Sequence, residues 1–239
     1  MKRIILIICL LAVVGFGLEW GIYGGPGVSA TLTNMNPMHE EISASEVFDG
    51  YDVSSFDNYQ LGLATPIILR LWNFTIGGGD VYSWQTFSGS DWKTSFHHRL
   101  NITEFGYIVE LNEHMRLTPL IGLGDYDIDM HISELGSGFG APDNGDGVSR
   151  SYDYDNFSLT GGLAFFYLWK FESRVVVGMQ ARVRYLVPMQ KNITWDADGS
   201  YPDATIDDFY PHTPIVTLNF FIGYERVRED RIEEDWEEE

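Results

Sequence analysis

Eight stretches of this chain alternate strictly between bulky apolar residues and small or polar ones, and that period of two decides what the chain can become. The predicted strands cover about residues 18–32, 58–70, 73–87, 96–111, 115–130, 156–169, 174–187 and 214–227. In the sixth, Phe157, Leu159, Leu163, Phe165, Tyr167 and Trp169 oppose Ser158, Thr160, Gly162 and Ala164. In the seventh, Val175, Val177, Met179, Val183, Tyr185 and Val187 oppose Gly178, Gln180, Arg182 and Arg184. The connections alternate in length. Two to four residues follow the second, fourth and sixth strands; about 8 follow the third; long loops, 33–57, 131–155 and 188–213, follow the first, fifth and seventh. This predicts an all-β chain closed as an antiparallel up-and-down barrel of about eight strands.

Alternation alone does not say which face lies inside. The apolar face is too bulky for the interior of an eight-stranded barrel, which side chains just fill. The other face is mostly Gly, Ser, Thr and Ala with a few Arg and Glu, and almost no Lys. A solvated exterior has no use for so many glycines, which weaken strands; a crowded lumen needs small residues beside long charged ones. The apolar face is therefore expected to meet lipid. Aromatics gather near both ends of the strands: Trp20, Trp72, Phe74, Tyr167, Trp169 and Tyr224 at one, Tyr59, Tyr82, Trp84, Phe157 and Tyr185 at the other. Two such belts are the girdles of a transmembrane barrel. Short turns on one side and long loops on the other place both termini in the periplasm.

The N-terminus has Lys2 and Arg3, an apolar run from Ile4 to Val14, then Gly15-Phe16-Gly17. That run is shorter than the ~20 residues a membrane helix needs and has the form of a secretory signal, with residues 1–17 removed. The single cysteine, Cys9, falls inside it, so the mature chain is expected to have no disulfide and no thiolate site. The net charge of −20 makes nucleic acid a poor partner, because binding phosphates takes clustered Lys and Arg. Residues 18–228 form the barrel in this reading, and 229–239 an acidic, solvated tail.

On this architecture the chain resembles the small eight-stranded outer-membrane barrels of the OmpA and OmpX type over about residues 18–228. The resemblance implies a monomeric barrel of the bacterial outer membrane with a filled lumen and roles in membrane integrity or surface binding. Its partners would be outer-membrane lipids, lipopolysaccharide and the barrel-assembly machinery. One feature departs from that class: a tail from Glu229 to Glu239 follows the last strand, where such barrels commonly end in an aromatic residue.

The candidate site is a set of charges on the lumen parity: Glu19, Arg70, Glu104, Glu110, Arg116, Arg174, Arg182, Arg184 and Glu225. Buried charges are costly unless paired, so these are expected to form a salt-bridged plug. Glu110 is expected opposite Arg116, Glu19 beside Arg70, Glu225 beside Arg174, and Arg182 and Arg184 towards Glu104, with Gly162 opposite Arg182. Asp125, Asp127 and Asp129 share a strand face with His131, a weak candidate for a hard cation. The apolar parity switches there, which predicts a bulge on a stretch projecting beyond the bilayer. Pro142 to Gly147 and Asp196 to Gly199 carry fragments of calcium loops without the full spacing. His131-Ile132-Ser133 is a bare His-x-Ser pair like that of outer-membrane lipid A deacylases, and His97 and His98 point to opposite faces. No cofactor is expected. The leading function is non-enzymatic, carried by acidic outer loops; a narrow channel and a lipid-modifying enzyme are the alternatives.

Overall fold

A computed structural model describes residues 19–44, 50–54, 56–134, 149–171, 174–189, 193–197, 204–206 and 212–226. The proposed signal, the tail, and the Pro142 to Gly147 fragment lie outside them. The strands are β1 (Trp20–Gly24), β2 (Gly27–Leu32), β3 (Tyr59–Leu71), β4 (Phe74–Ser88), β5 (Trp92–Tyr107), β6 (Val109–Glu110), β7 (Met115–Glu134), β8 (Ser149–Lys170), β9 (Val175–Pro188), β10 (Ile193–Ala197), β11 (Ala204–Ile206) and β12 (Thr213–Arg226). One helix, α1 (Asn36–Ala44), follows β2.

β1 and β2 are one strand interrupted at Gly25-Pro26, where proline has no N–H to give the ladder. Counting them together, eight antiparallel strands pair in the order β1/β2, β3, β4, β5, β7, β8, β9, β12, and β12 returns to β1 and β2. The ring has no free edge through its middle, so its strands satisfy one another's backbone groups without water. Tight turns close the periplasmic side. In the β3–β4 turn Trp72 takes φ 53° and before β9 Arg174 takes φ 63°. A left-handed tryptophan costs about 1–2 kcal/mol; its exposed ring lies at the aromatic belt, where burial in the headgroup region offsets that cost.

The outward face is the apolar one. Leu61, Ile67, Ile121, Leu163, Val183, Phe220 and Ile222 are all more than half exposed, which no water-facing barrel wall tolerates over so large a surface. The inward face holds Ser29, Gln60, Arg70, Glu104, Arg116, Thr160, Arg182 and Asn219, all buried. A closed ring with apolar residues outside and polar residues inside is a membrane-spanning barrel, and an even-stranded, single-chain ring of eight is the architecture of the small outer-membrane barrels. Trp20 against Tyr224 (5.5 Å), Phe74 against Tyr107 (5.4 Å) and Tyr167 against Trp169 (4.9 Å) form ring pairs along the periplasmic rim.

The strands run further than their apolar pattern. β7 has 20 residues and β8 has 22, against 13 in β3 and 14 in both β9 and β12. The expected bulge at Asp125 is absent: β7 pairs continuously with β8 through residues 115–133 and with β5 through residues 120–134, and parity is kept. What inverts is the chemistry. Above Leu123 the outward positions become Asp125, Asp127, Asp129 and His131, while Tyr126, Ile128, Met130 and Ile132 turn inward and are buried. β5 does the same, with Lys93, His97, Arg99 and Asn101 outside and Trp92, Phe96, Leu100 and Ile102 inside. Asp153 and Asp155 continue the wet face on β8, so much of the expected 131–155 loop is strand. The barrel thus leaves the lipid on one side as a wall with water outside and an apolar core inside.

That core is closed by the chain after β2. Met35, Met38, Ile42, Val53 and Phe56 pack onto Phe96, Leu100, Ile128, Met130 and Ile132. Phe56 lies 4.9 Å from both Phe87 and Phe96. The segment begins and ends at one place, where Thr33 N–H donates to the Asn58 carbonyl at 2.9 Å. It forms a lid over the outer mouth.

Because the ladder closes on itself, the barrel should resist detergent until heated and migrate faster on a gel unheated than boiled. Equal migration before and after boiling would mean an open sheet.

Candidate functional site

Three tiers fill the lumen from the periplasmic end outward. In the lowest, Glu225 at the end of β12 accepts from Arg70 Nη1 (2.7 Å), Arg116 Nη1 (2.5 Å) and Arg116 Nη2 (3.2 Å), and from the Tyr23 hydroxyl. Arg70 also reaches Glu110 at 3.1 Å and Glu19 at 3.7 Å, and its Nε donates to the Trp72 carbonyl at 2.7 Å. Arg116 Nε lies 3.5 Å from Glu110. Three carboxylates thus surround two guanidiniums in a mouth where Arg70, Arg116 and Glu225 are almost wholly enclosed. Packed with this tier is an apolar cluster of Tyr23, Ile68, Phe166, Leu168, Val176 and Phe221.

The second tier is one carboxylate between two guanidiniums. Arg182 Nη1 donates to Glu104 Oε2 at 2.7 Å; Arg184 grips both oxygens, Nε to Oε1 at 2.6 Å and Nη2 to Oε2 at 2.9 Å. Charge-assisted, bidentate bonds of this kind are the strong ones. Glu104 has Gly77 opposite it on β4 and Gly122 opposite it on β7, which leaves room for two arginines across the lumen. Gln180 accepts from Arg182 at 2.8 Å. The third tier is the apolar core under the lid, where buried His98 Nδ1 meets the Tyr126 hydroxyl at 2.9 Å.

Eight of the nine charges picked out in the sequence sit in these two charged tiers, and their partners differ in part from those expected. Glu110 does pair with Arg116 in register, but it is a rim group, its side chain 37% exposed, and the principal partner of Arg116 is Glu225 on the far side of the lumen. Arg174 is exposed in the turn that gives it a left-handed backbone, and its carbonyl accepts from Glu225 N–H at 2.9 Å. Gly162 stands opposite Arg184, and Ala164 opposite Arg182. Tyr23 and Gln180 were not picked out; both sit on lumen parity, and a tyrosine among the glycines of strand one is the signal that could have found the first.

Among the described residues no group of three or more His, Cys, Asp or Glu is arranged to hold a metal ion. Asp125, Asp127 and Asp129 alternate on the wet wall; Asp127 faces Asp155 and Asp129 faces Asp153 across the β7–β8 ladder. Asp196 pairs in register with Asp153, and Asp198 lies outside the described residues. His131 is exposed on the same wall, its Nδ1 3.0 Å from Ser151 Oγ. His97 is exposed and His98 buried, on opposite faces.

The lid has its own anchor. Asp52 accepts from the Ser90 N–H at 2.5 Å, the Asp91 N–H at 3.2 Å and the Ser90 hydroxyl, clasping the tight turn between β4 and β5. The Ser90 hydroxyl bond, with the backbone bonds behind it, holds the Asp52 carboxyl below its ordinary range. Beside it Tyr51 bonds Thr94 Oγ1 at 2.7 Å, and burial pushes its phenol up to about 12.

No protein-family model matches the chain, and no curated protein does. Similar solved structures include Ail, the attachment invasion locus protein of Yersinia pestis, at 16% identity and TM-score 0.43 over 87% of this chain and 99% of that one. Neisserial surface protein A is similar at 9% identity and TM-score 0.41, over 86% and 96%. OprG of Pseudomonas aeruginosa is similar at 10% and 0.40, over 87% and 96%.

Two expectations follow. Glu225→Ala strands two buried guanidiniums and should destabilise the barrel by about 3–5 kcal/mol in urea unfolding, whereas Glu110→Ala, at the rim, should cost at most about 1 kcal/mol; equal effects would mean a wet, screened mouth. For Asp52 the folded-state pKa is lowered, so its anchoring is present above the ordinary carboxylate pKa and is lost as pH falls through the lowered one. Hydrogen exchange in the segment 50–56 should stay slow at neutral pH in the wild type and quicken in Asp52→Ala, with the two converging in strong acid.

Proposed function

We propose that this protein is a non-enzymatic barrel of the bacterial outer membrane that acts by binding through its outer surface. The observation that carries the reading is the chemical inversion above Leu123. Two strands of 20 and 22 residues are far longer than the ~9–11 residues a membrane strand needs. Their outer halves form a rigid, water-facing platform of Asp125, Asp127, Asp129, Asp153 and Asp155, edged by His97 and Arg99. A barrel that only patched the membrane would have no use for such a platform, and binding residues commonly ride on outer segments held by a rigid scaffold. The acidic character favours cationic surfaces, or lipopolysaccharide bridged by divalent cations. Residues 1–17 are read as the export signal and 229–239 as a solvated tail.

The lumen supports a closed barrel in preference to a channel, because two salt-bridged tiers and the lid core stand in series across it. The test is on cells. Asp127, Asp129, Asp153 and Asp155 all changed to Asn should lower adhesion or alter detergent sensitivity while the heat-dependent gel shift is kept. Cells indistinguishable from wild type in both assays would overturn the reading, and a steady single-channel conductance from the wild-type barrel would favour the channel.

A further inference from the structure

The ring closes where the first strand meets the last, and this seam is the joint its own sequence specifies least. β1, β2 and the break between them carry Gly21, Gly24, Gly25 and Gly27, and Gly-rich strands fix their register weakly. A slip of one residue would turn the lipid face inward and is excluded by alternation. A slip of two keeps every apolar residue outside, so alternation leaves registers two apart equal.

The lumen side of the seam breaks that tie. From residue 21 to residue 27, each inward cross-strand position joins a glycine to a large side chain; above it the seam continues with Ser29 opposite Thr217 and Thr31 opposite Ile215. Gly21 faces Glu225, and Gly223 faces Tyr23. Gly27 faces Asn219, where a Cβ on the glycine would come within 1.8 Å of Asn219 Oδ1. Gly25 lies against β12 so closely that its Cβ would stand 2.0 Å from the Phe220 carbonyl and 2.8 Å from the Phe221 Cα. The native register is thus filled by alternating large and small groups. Slipped one way by two, Glu225 would stand opposite Glu19 and Phe221 opposite Tyr23, a like-charge pair and an overfilled pair. Slipped the other way, Glu225 would stand opposite Tyr23 and two glycine positions would be emptied against each other. Both slips pull the Glu225 carboxylate about 6–7 Å along the strand, away from Arg70 and Arg116, which in the native register lie 2.7 and 2.5 Å from it.

We propose that the lumen face of this seam is a register key: the glycine-to-large pairing, latched by Glu225 on Arg70 and Arg116, selects the one closure in which the first and last strands meet correctly. The arginines come from β3 and β7, so the latch ties the register of the last strand to strands other than its ladder neighbours, β1/β2 and β9. Buried polar groups that fix register at a cost in stability are an established use of such groups in other folds.

The test is disulfide trapping on the outward face, in a chain carrying Cys9→Ser. Ile22 pairs with Tyr224 in the native register and would pair with Arg226 or Ile222 in the two slips. Chains carrying Ile22→Cys with Tyr224→Cys, Ile222→Cys or Arg226→Cys are refolded into detergent, oxidised and scored on the heat-shifted band. The otherwise unaltered chain should trap the 22–224 bridge. Glu225→Gly should lose that product and gain a slipped one. Gly21→Glu combined with Glu225→Gly returns a carboxylate to the same cross-strand pair, beside Arg70, which Gly21 faces on β3; it should recover the 22–224 bridge. If Glu225→Gly traps 22–224 as fully as the parent, the register is set elsewhere and the proposal fails. If Glu225→Gly does not fold, the combined variant decides: a folded barrel with the native bridge supports the key, and failure to regain either overturns it.

Discussion

Hydrocarbon offers no hydrogen bonds, and nearly every feature of this molecule follows from that. A strand in lipid must pair on both edges, so the sheet must close. Closure at eight strands fixes a lumen narrow enough to be filled by side chains. The apolar residues are claimed by the lipid, so the filling must be polar, and in so small a space polar filling must be paired. The ion tiers at Glu225 and Glu104 are the outcome of that sequence of constraints. Their arginines are long enough to cross the lumen from opposite walls, and glycines such as Gly77 and Gly122 stand where those side chains need room.

Beyond the bilayer the same ladder meets the opposite solvent problem. Water now lies outside, so outward positions turn acidic and inward positions turn apolar without a change of register. The lid supplies what the short β3, β9 and β12 side does not: Met38, Ile42 and Phe56 cover the core that the tall β5–β7–β8 wall would leave open. One continuous backbone therefore carries two cores of opposite logic, polar in the membrane and apolar above it. The acidic pairs Asp127–Asp155 and Asp129–Asp153 are mutually repulsive across the ladder. They are tolerated because Tyr126, Ile128 and Met130, buried on the reverse face, hold those same strands together.

The strands, their parity and the charged lining were legible in the sequence because they are local: period two is visible within ten residues, and a charge on lumen parity declares itself. What was misread is what the ladder determines at long range. The parity of apolar residues flips at Asp125, which looks like a bulge when apolar is taken to mean outward; it is a change of solvent around an unchanged strand. Glu225 was matched with its strand neighbour Arg174, since sequence order gives neighbours and not the residue across a barrel. That backbone neighbour is right, and the guanidiniums that grip the Glu225 carboxylate, Arg70 and Arg116, come from β3 and β7 instead. The lid could not be read because Met35, Met38 and Phe56 are spaced for a helix and a turn that have no period of two.

All three differences come from contacts made at long range, and that bears on how the molecule divides its labour. In the membrane, the partner of a residue is chosen by the geometry of closure, so Arg116 finds Glu225 over a separation of 109 residues. Such contacts form only when the ring is complete, which ties lumen packing to the act of closing. Above the membrane, the lid has anchors nearer in sequence, Asp52 on Ser90 and Tyr51 on Thr94, while Thr33 at its start reaches Tyr126 and Thr213 across the barrel. The second tier at Glu104 is anchored on β5 and β9, the same strands that lend Phe96, Leu100 and Leu186 to the outer core. The side chains that anchor the lid and those that close the lumen are thus different sets carried on one continuous ladder, and it is the shared backbone of β5 and β9 that joins them.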